Sequence, residues 1–373
     1  MASLESQSNA WIDGRAVSLE AATVGAAELL LASRQPLIAG LGADSDGVRA
    51  AIGLAQRLGG IIDHSHSDWL LRDLDCWREG GAMMTTPNEA KIRADVLLLV
   101  GDGLTQAWPE LVVKLLKTSI RQAGSDSARQ IIWLSRNADD KIAGFDGALE
   151  IVACGAGAEF AANLGALRAR AKGAKISTPS SVWDAIAVKL RSAKFGVAIW
   201  AAGDHDALCL EMLNGLVRDL NETTRFSALP LAPPENGVGA LAACGWLTGA
   251  PMRTGFGAGE LWHDPWRYDA ERVARSGESD CALWISAFGG PAPAWGAGVK
   301  FIALDDGATP FAAAPQVRIR VGQPGLHHAG VLHSAQSGTL IGVGAPQPND
   351  APSVAQAIGA ILVQIDRRGA RPC

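Results

Sequence analysis

The sequence has little charge and lacks long apolar runs. Charged residues make up 19% of its 373 residues, where about 25% is usual, and hydrophobic residues make up 48%. This composition excludes a disordered chain. No stretch approaches the roughly 18 consecutive apolar residues of a membrane helix. Acidic residues (38) outnumber basic ones (33), and nucleic-acid-binding proteins normally show the opposite balance, so that class is disfavoured.

Closely spaced cysteines are also missing, because no two of the six form a CxxC pair. They are Cys76, Cys154, Cys209, Cys244, Cys281 and Cys373. A local iron–sulfur cluster or structural zinc site is therefore disfavoured. The first residues, MASLESQSNAW, have neither a basic nor an apolar segment, so we expect no secretory signal. The cysteines are then expected to be buried, reduced thiols of a cytoplasmic protein.

Tyrosine is almost absent, whereas tryptophan is abundant: one Tyr stands against 12 Trp and 8 Phe. Trp is enriched in protein–protein interfaces, so the excess fits either a subunit interface or a Trp-rich core. Four tryptophans are interspersed with glycine and proline and could stack on a ring system, although packing is the favoured interpretation. They are Trp246, Trp262, Trp266 and Trp295.

Helical segments alternate with short apolar strands, which predicts an α/β fold with mostly parallel sheets. In the first half, helices are predicted at 19–33, 48–58, 89–94 and 109–121. Strands are predicted at 37–41, 61–62, 96–100, 130–134 and 150–153. In the second half, a helix is predicted at 185–192 and a strand at 197–201.

The second half repeats the order of the first, which indicates an internal duplication. The segment from Ala201 to Leu220 matches AGLGADSDGVRAAIGLAQRL, which runs from Ala39 to Leu58. RADVLLLVGDGLTQAW and ESDCALWISAFGGPAPAW align Asp95 with Asp280. IIWLSR then matches FIALDD, and LEIVACG matches VRIRVGQ. Composition shifts predict linkers at 172–181 and 232–239.

Glycine turns after the strands are candidate phosphate cradles, because backbone N–H groups at such turns bind anions. None of them forms a GxGxxG or P-loop motif in its required place, so tight turns are the favoured interpretation. The candidates are Gly40, Gly42, Gly101, Gly103, Gly203, Gly289 and Gly290.

Two histidine clusters are candidate sites. His64 and His66 follow the strand at 61–62, where α/β sheets place ligands, although a polar loop is the favoured interpretation. His327, His328 and His333 form the densest cluster. A metal or general-base site there would need a carboxylate from elsewhere, so a surface or subunit-facing loop is favoured. The sequence contains no nucleophile elbow, and no carboxylate pair at a fixed helical spacing argues for acid–base catalysis.

Taken together, QPLIAGLGADSDGVRAAIGLAQRLGGIID, EAKIRADVLLLVGDGLTQAWPEL and DPWRYDAERVARSGESDCALWISAF resemble the B subunit of formylmethanofuran dehydrogenase. PGLHHAGVLHSAQSGT keeps the same order. That family belongs to the molybdopterin oxidoreductase superfamily, and the likeness runs from Trp11 to about Val343. It implies two Rossmann-like lobes: residues 1–63 with 180–345, and an inserted lobe at 64–179. A C-terminal helix and tail would follow at 346–373.

The chemical machinery of that family is not matched. Its catalytic members have an N-terminal cysteine cluster, whereas here no cysteine precedes Cys76. The cysteine or selenocysteine that ligates molybdenum or tungsten corresponds to Trp69. VGDGL, with Gly101 and Gly103, replaces the family's turn that contacts the pterin dinucleotide. We therefore expect no cofactor, no metal and no catalytic residue. His64, His66 and Trp69 would line a vestigial cleft with the two glycines.

The chain thus looks like the cofactor-free relatives of that family, the B subunits of formyltransferase/hydrolase complexes. This resemblance implies a cytoplasmic scaffold in one-carbon metabolism, associated with an amidohydrolase-like hydrolase, a formyltransferase and a C-type subunit. Two alternatives remain: a working subunit that binds molybdopterin, and an unrelated metabolite-binding α/β enzyme that uses the glycine turns and histidines.

Overall fold

The computed structural model describes residues 9–118, 129–174, 176, 180–295 and 298–369. In chain order, its elements are β1 (Ala10–Ile12), β2 (Arg15–Ala16), α1 (Leu19–Leu31), β3 (Pro36–Gly42), α2 (Ser45–Leu58), β4 (Ile61–Ile62), α3 (Ser67–Gly80), α4 (Pro87–Arg93), β5 (Val96–Val100), α5 (Leu104–Ala107), β6 (Gln130–Ser135), β7 (Glu150–Ala153), α6 (Ala158–Ala171), α7 (Ser181–Ser192), β8 (Gly196–Trp200), α8 (Ala207–Leu220), β9 (Phe226–Pro230), α9 (Gly237–Thr248), β10 (Thr254–Gly255), β11 (Trp262–His263), α10 (Ala270–Arg275), β12 (Cys281–Ser286), β13 (Lys300–Asp305), β14 (Val317–Arg320), β15 (Gly330–Ser334), β16 (Thr339–Val343) and α11 (Val354–Arg367).

The elements form two units. Unit 1 comprises residues 1–67, 234–333 and 340–373, and unit 2 comprises 68–233 and 334–339. The first boundary lies close to the predicted one at 63/64, but the second lies at 233/234 rather than near residue 180. The physical reason is strand pairing, because β8 and β9 extend the sheet of unit 2 through β5. Likewise, α11 is no separate tail, since it packs on α1 and α2 within unit 1.

Unit 1 is built on a nine-stranded sheet with the order β11-β10-β4-β3-β12-β13-β14-β1-β2. Its five central strands are parallel, and the short outer strands pair antiparallel. Every residue of β3 and β12 is buried, as expected for parallel strands covered on both faces. One face packs against a core that includes buried residues of α1, α2, α9 and α11, and the other packs against α10.

Unit 2 is built on a five-stranded, fully parallel sheet with the order β7-β6-β5-β8-β9. Alternate residues of β5 point to opposite faces: Leu98 packs in the core with α6, α7 and α8, whereas Leu97 and Leu99 pack in the core with α4 and α5. The predicted helix at 109–121 is in part a π-helix at Val112–Leu116, and 119–121 lie outside the described residues.

The predicted repeat is visible in the order of the strands. Because β3 matches β8, and β5, β6 and β7 match β12, β13 and β14, the runs β3-β12-β13-β14 and β8-β5-β6-β7 are equivalent. Each sheet therefore combines strands from both halves of the sequence. Helices α3 and α9 were not predicted, because His64 to Asp75 reads as a polar loop and 232–239 as a linker.

The aligned acids Asp95 and Asp280 make the same contacts in the two units. The Asp280 carboxylate accepts hydrogen bonds from the N–H groups of Arg34 and Gln35, at 3.1 and 3.5 Å. The Asp95 carboxylate accepts them from Lys194 and Phe195, at 2.8 and 2.9 Å. Each acid thus holds the segment that enters the neighbouring parallel strand.

Helix ends follow local sequence. The side chains of Ser18, Asp44, Asp206 and Ser353 cap the first turns of α1, α2, α8 and α11, which satisfies N–H groups that have no partner within the helix. Ser353 and Gln356 form a capping box. None of the helices in the described ranges has the length and apolar character that a bilayer span requires.

Candidate ligand crevices at the ends of the two sheets

Parallel sheets bind ligands where neighbouring connections leave in opposite directions. In unit 1, β3 leads to β4 on one side and β12 leads to β13 on the other, so this point lies between β3 and β12. In unit 2 it lies between β8, which leads to β9, and β5, which leads to β6. We call the end of β3 and β12 the first crevice, and the end of β5 and β8 the second crevice. The first is formed by Gly42, Glu235, Ser286 and Gly290, and the second by Gly101, Gly103, Asp204 and His205.

A carboxylate of the chain itself occupies the first crevice. Glu235 and Asn236 both have left-handed backbone conformations, with φ of 56° and 57°, immediately before α9. The Glu235 side chain is buried, and Ser286 Oγ donates a hydrogen bond to its Oε1. The Gly290 N–H in turn donates to Ser286 Oγ at 2.9 Å. Burial raises the pKa of the Glu235 carboxyl, and the hydrogen bond from Ser286 opposes that rise.

The two glycines of the first crevice make room for this carboxylate. A Cβ at Gly42 would lie 3.1 Å from Glu235 Oε1, and a Cβ at Gly290 would overlap the same oxygen. Neither glycine has a left-handed backbone. The Glu235 carboxylate therefore restricts the space for a side chain at both positions, and at Gly42 the Ser286 Cα, 3.2 Å from the same Cβ position, restricts it as well.

In the second crevice the corresponding place is taken by Asp204, which is exposed to solvent. The Gly103 N–H donates to Asp204 Oδ2 at 2.5 Å, and a Cβ at Gly103 would lie 2.6 Å from both carboxylate oxygens. Gly103 also lacks a left-handed backbone. Gly101 does have one, with φ of 88°, and a Cβ there would lie 2.8 Å from His205 Nε2. Both glycines of the VGDGL turn thus contact side chains of the turn after β8.

The remaining space beside the second crevice is small and acidic. A cavity of about 60 Å³ is lined in part by Asp102, Arg136, Asp204 and Asp206. Arg136 is already paired with Asp102, with Nε 2.9 Å from Oδ2. Ligand pockets usually measure about 300–1,000 Å³. The cavity therefore suits neither the size nor the charge of a dinucleotide.

His64 is a buried structural histidine. The His66 N–H donates to His64 Nδ1 at 3.0 Å, so the ring proton lies on Nε2, which donates to the Glu235 carbonyl oxygen at 3.2 Å. Burial lowers the pKa of His64 to about 3, and the ring is therefore neutral. His64 joins the β4–α3 turn to the turn that carries Glu235. His66 is half-buried, with its ring centroid 5.8 Å from that of His64.

Asp63, next to this histidine, is part of a buried ionic network. Its carboxylate accepts hydrogen bonds from the N–H groups of His64 and Ala270, at 2.9 and 2.8 Å. Arg253 Nε lies 3.5 Å from Asp63 Oδ2, and Arg253 also pairs with Asp269. Burial raises the pKa of Asp63 to about 6 against the opposing effect of Arg253. These contacts join β4 to α10.

Trp69 belongs to unit 2, whereas His64 and His66 belong to unit 1. The predicted cleft residues are thus divided between the units, with Gly101 and Gly103 in the same unit as Trp69. The Trp69 ring packs against core residues on both faces of the second sheet. A Cβ at Gly203 would lie 2.8 Å from Trp69 Cε3.

The cluster of His327, His328 and His333 is held by backbone groups. His327 Nδ1 accepts a hydrogen bond from the Gln323 N–H at 3.0 Å. The ring nitrogens of His328 lie 2.9 and 3.1 Å from carbonyl oxygens. His333 lies on β15, and its backbone N–H donates to Asn236 Oδ1 at 2.8 Å. These contacts bring no carboxylate ligand to the cluster.

The side chains of the described residues do not fit the molybdenum or tungsten centre, or the pterin, that catalytic members of the formylmethanofuran dehydrogenase family bind. Within the described ranges, no three His, Cys, Asp or Glu side chains are arranged to hold a metal ion. The five described cysteines are free and buried, and burial raises the pKa of their thiols to about 11 or 12. A metal-binding thiolate would need a lowered pKa, and both glycine cradles already contain carboxylates.

The fold and these crevices define a two-sheet α/β protein whose usual ligand positions are filled by its own side chains. A search against protein-family models found no match. The chain is 36% identical over 366 residues to the B subunit of the formyltransferase/hydrolase complex Fhc of Methylorubrum extorquens, covering 96% of this chain and 97% of that one. The chain therefore belongs to the family of formyltransferase/hydrolase complex B subunits.

Structural and more distant sequence relatives agree with this assignment. The crystal structure of the FhcABCD complex from Methylorubrum extorquens, with methylofuran, contains a chain that matches with a TM-score of 0.86 and 35% identity. The match covers 97% of this chain and all of that one. The B subunit of tungsten-containing formylmethanofuran dehydrogenase 2 from Methanococcus maripaludis is 24% identical over 348 residues, which cover 86% of this chain and 77% of that one.

Sequence reasoning missed Glu235 and Asp204. The glycines and the positions after the strands were recognised, but the acids that occupy them were not. Asp204 could have been found, since it lies in the turn AAGDHD that begins after β8 ends at Trp200. Glu235 follows β9, which is not a strand of the first crevice, so only the three-dimensional structure shows its placement.

Proposed function

We propose that this chain is a non-catalytic subunit of a formyltransferase/hydrolase complex. The main support is the likeness, over nearly its whole length, to a chain of the four-subunit complex, together with crevices that are filled by Glu235 and Asp204. In this proposal His64, His66, Trp69, Gly101 and Gly103 have no catalytic role. Their contacts are explained by packing and backbone hydrogen bonds.

The proposed complex transfers a formyl group from formyl-tetrahydromethanopterin to a methanofuran-like carrier and releases formate by hydrolysis. The transfer belongs to a formyltransferase subunit and the hydrolysis to an amidohydrolase-like subunit, with a C-type subunit as a further partner. The buried, free thiols suit the reducing cytoplasm in which we place the complex.

Exposed apolar side chains on unit 1 support an assembled state. Helix α9 (GVGALAACGWLT) has no charged residue, and its Trp246 is 72% exposed with Leu247 beside it. Trp262 and Trp266 are also exposed, and Arg272 lies over the Trp266 ring at 4.4 Å. Groups of exposed apolar residues are typical of surfaces that bind other proteins.

The proposal is tested by co-expressing the chain with the other three subunits of its own complex. We expect co-purification in constant stoichiometry, and both formyl transfer and formate release in the assembled complex. Elemental analysis should find no stoichiometric molybdenum or tungsten in this subunit. A chain that elutes as a monomer in the presence of all three partners would contradict the proposal.

A variant separates scaffold from catalyst. His66→Ala should leave both rates of the assembled complex nearly unchanged, because the proposal assigns the transfer and the hydrolysis to other subunits. A hundredfold loss of either rate with assembly intact would correspond to about 2.7 kcal/mol of lost transition-state stabilisation. That result would make the loop catalytic.

A further inference from the structure

We propose that the carboxylates of Glu235, which is buried, and of Asp204, which is exposed, occupy anion-binding sites of the fold, so that the chain keeps both sites but occupies them with its own side chains. This inference concerns the isolated chain and goes beyond its role in a complex. The ligand class that the carboxylates exclude is a phosphate or another small oxyanion.

The first argument is position. Both carboxylates lie at the ends of two neighbouring parallel strands whose connections leave in opposite directions, which is where α/β proteins bind the phosphates of ligands at glycine turns. Each carboxylate accepts a hydrogen bond from a group of its crevice. Glu235 accepts from the Ser286 hydroxyl, and Asp204 accepts from the Gly103 N–H at 2.5 Å.

The second argument is space. None of Gly42, Gly290 and Gly103 has a left-handed backbone, and a Cβ at each would crowd or overlap a carboxylate oxygen. At Gly290 and Gly103 the nearest atoms to that Cβ belong to the carboxylate group, whereas at Gly42 the Ser286 Cα, at 3.2 Å, restricts the space as well. The anion in each case is a side chain of the same unit.

The third argument is that the two units supply the anion from different positions of the repeat. In the aligned segments, Asp206 corresponds to Asp44, and both residues cap the helix that follows. Asp204 corresponds to Gly42, which has no side chain and lies against the Glu235 carboxylate from the turn after β9. Because the two carboxylates come from different positions of the repeat, they were not inherited as one residue by duplication. A requirement for an anion in each crevice explains why both crevices contain one.

The test uses the full-length chain, with Glu235→Ala and Glu235→Gln as a matched pair. Truncation to alanine removes the carboxylate and leaves space for a small anion, whereas glutamine removes the charge and still fills the crevice. Binding of acetate and of inorganic phosphate is measured by calorimetry and by thermal unfolding, against sodium chloride at the same ionic strength. We expect Glu235→Ala to bind acetate at least tenfold more tightly than either Glu235→Gln or the unsubstituted chain.

Asp204→Ala and Asp204→Asn form the second pair, in the other unit. The alanine variant should gain affinity for a small anion and the asparagine variant should not. The neighbouring Asp102 and Asp206 favour acetate over the more highly charged phosphate there.

The outcomes for the two pairs of variants either support or overturn the proposal. A variant that folds only with acetate present supports the proposal. If Glu235→Ala does not fold in any buffer, the Asp204 pair alone decides. Equal anion affinity in the alanine and amide variants, or tight phosphate binding by the unsubstituted chain, would overturn the proposal. Neither result depends on partners, so failure here is distinct from failure of the proposed function.

Discussion

Asp280→Asn is expected to lower the free energy of unfolding at pH 7 by about 2 kcal/mol. The carboxylate accepts hydrogen bonds from Ser33 Oγ at 2.5 Å and from the Arg34 N–H at 3.1 Å. Burial raises the pKa of Asp280, but these hydrogen bonds outweigh it and hold the pKa at about 2. A difference of nearly two units from the ordinary 3.8, at about 1.4 kcal/mol per unit, gives this magnitude after allowance for partial exposure.

The dependence on pH follows from the direction of this shift. Because the pKa is lower in the folded state, the stabilisation is fully present above the unfolded value near 4 and is lost as pH falls through 2. The difference between the unsubstituted chain and Asp280→Asn should therefore be constant from pH 8 to pH 5. Urea unfolding followed by circular dichroism measures it at each pH.

Asp46→Asn is the matched control. Asp46 is exposed and pairs with Arg49 one turn along α2, so its replacement should change stability by less than about 0.5 kcal/mol. The reasoning is refuted if Asp280→Asn costs no more than the control, or if its cost changes between pH 5 and pH 8.

Three further predictions concern unit 2 and the thiols. Gly203→Ala should cost about 1–3 kcal/mol, because its Cβ would lie 2.8 Å from the Trp69 ring, and Trp69→Leu should reduce that cost in the double variant. Asp73→Asn should raise the free energy of unfolding at pH 8, by up to roughly 4 kcal/mol, and leave it nearly unchanged at pH 4. Burial raises the pKa of Asp73 to about 7, so ionisation of this carboxyl opposes folding as pH rises. Asparagine has no charge to lose and still accepts the hydrogen bond from Trp200 Nε1. Equal changes in the free energy of unfolding at pH 4 and pH 8 would contradict this prediction. In the Cys373→Ser variant the five remaining thiols are buried, so the native protein should not react with a thiol reagent at pH 8. Rapid labelling of one thiol per chain would contradict this prediction, because it would show that burial does not protect that thiol.

Strands and repeat were predictable from local pattern, because buried parallel strands read as apolar runs and the aligned acids at 95 and 280 mark equivalent positions. The boundary between the units was less predictable. The composition shift at 172–181 resembles a linker, but which sheet β8 joins depends on its pairing with β5, a tertiary contact. The segment at 232–239 does contain the boundary at 233/234.

The sequence predicts the glycine turns of the two crevices but not the carboxylates that occupy them. Glycines after strands are recognisable because the fold places turns there, and seven such positions were candidates. What occupies the crevices depends on side-chain direction, which for Glu235 follows from two consecutive left-handed residues. A single sequence does not reveal that conformation, although Asn236-Gly237 after two prolines is typical of a turn.

The discontinuity of unit 1 has a consequence for synthesis on the ribosome. Strands β3 and β4 emerge early and end by Ile62, but β12, the central neighbour of β3, begins only at Cys281. At about 5–20 residues per second, the apolar faces of α1, α2 and β3 wait about 10–45 s for that strand. In that interval all five strands of the second sheet are completed, the last ending at Pro230. The nascent chain is therefore expected to need protection by a chaperone over the segment from α1 to β4, while the inserted unit folds ahead of the unit that holds it.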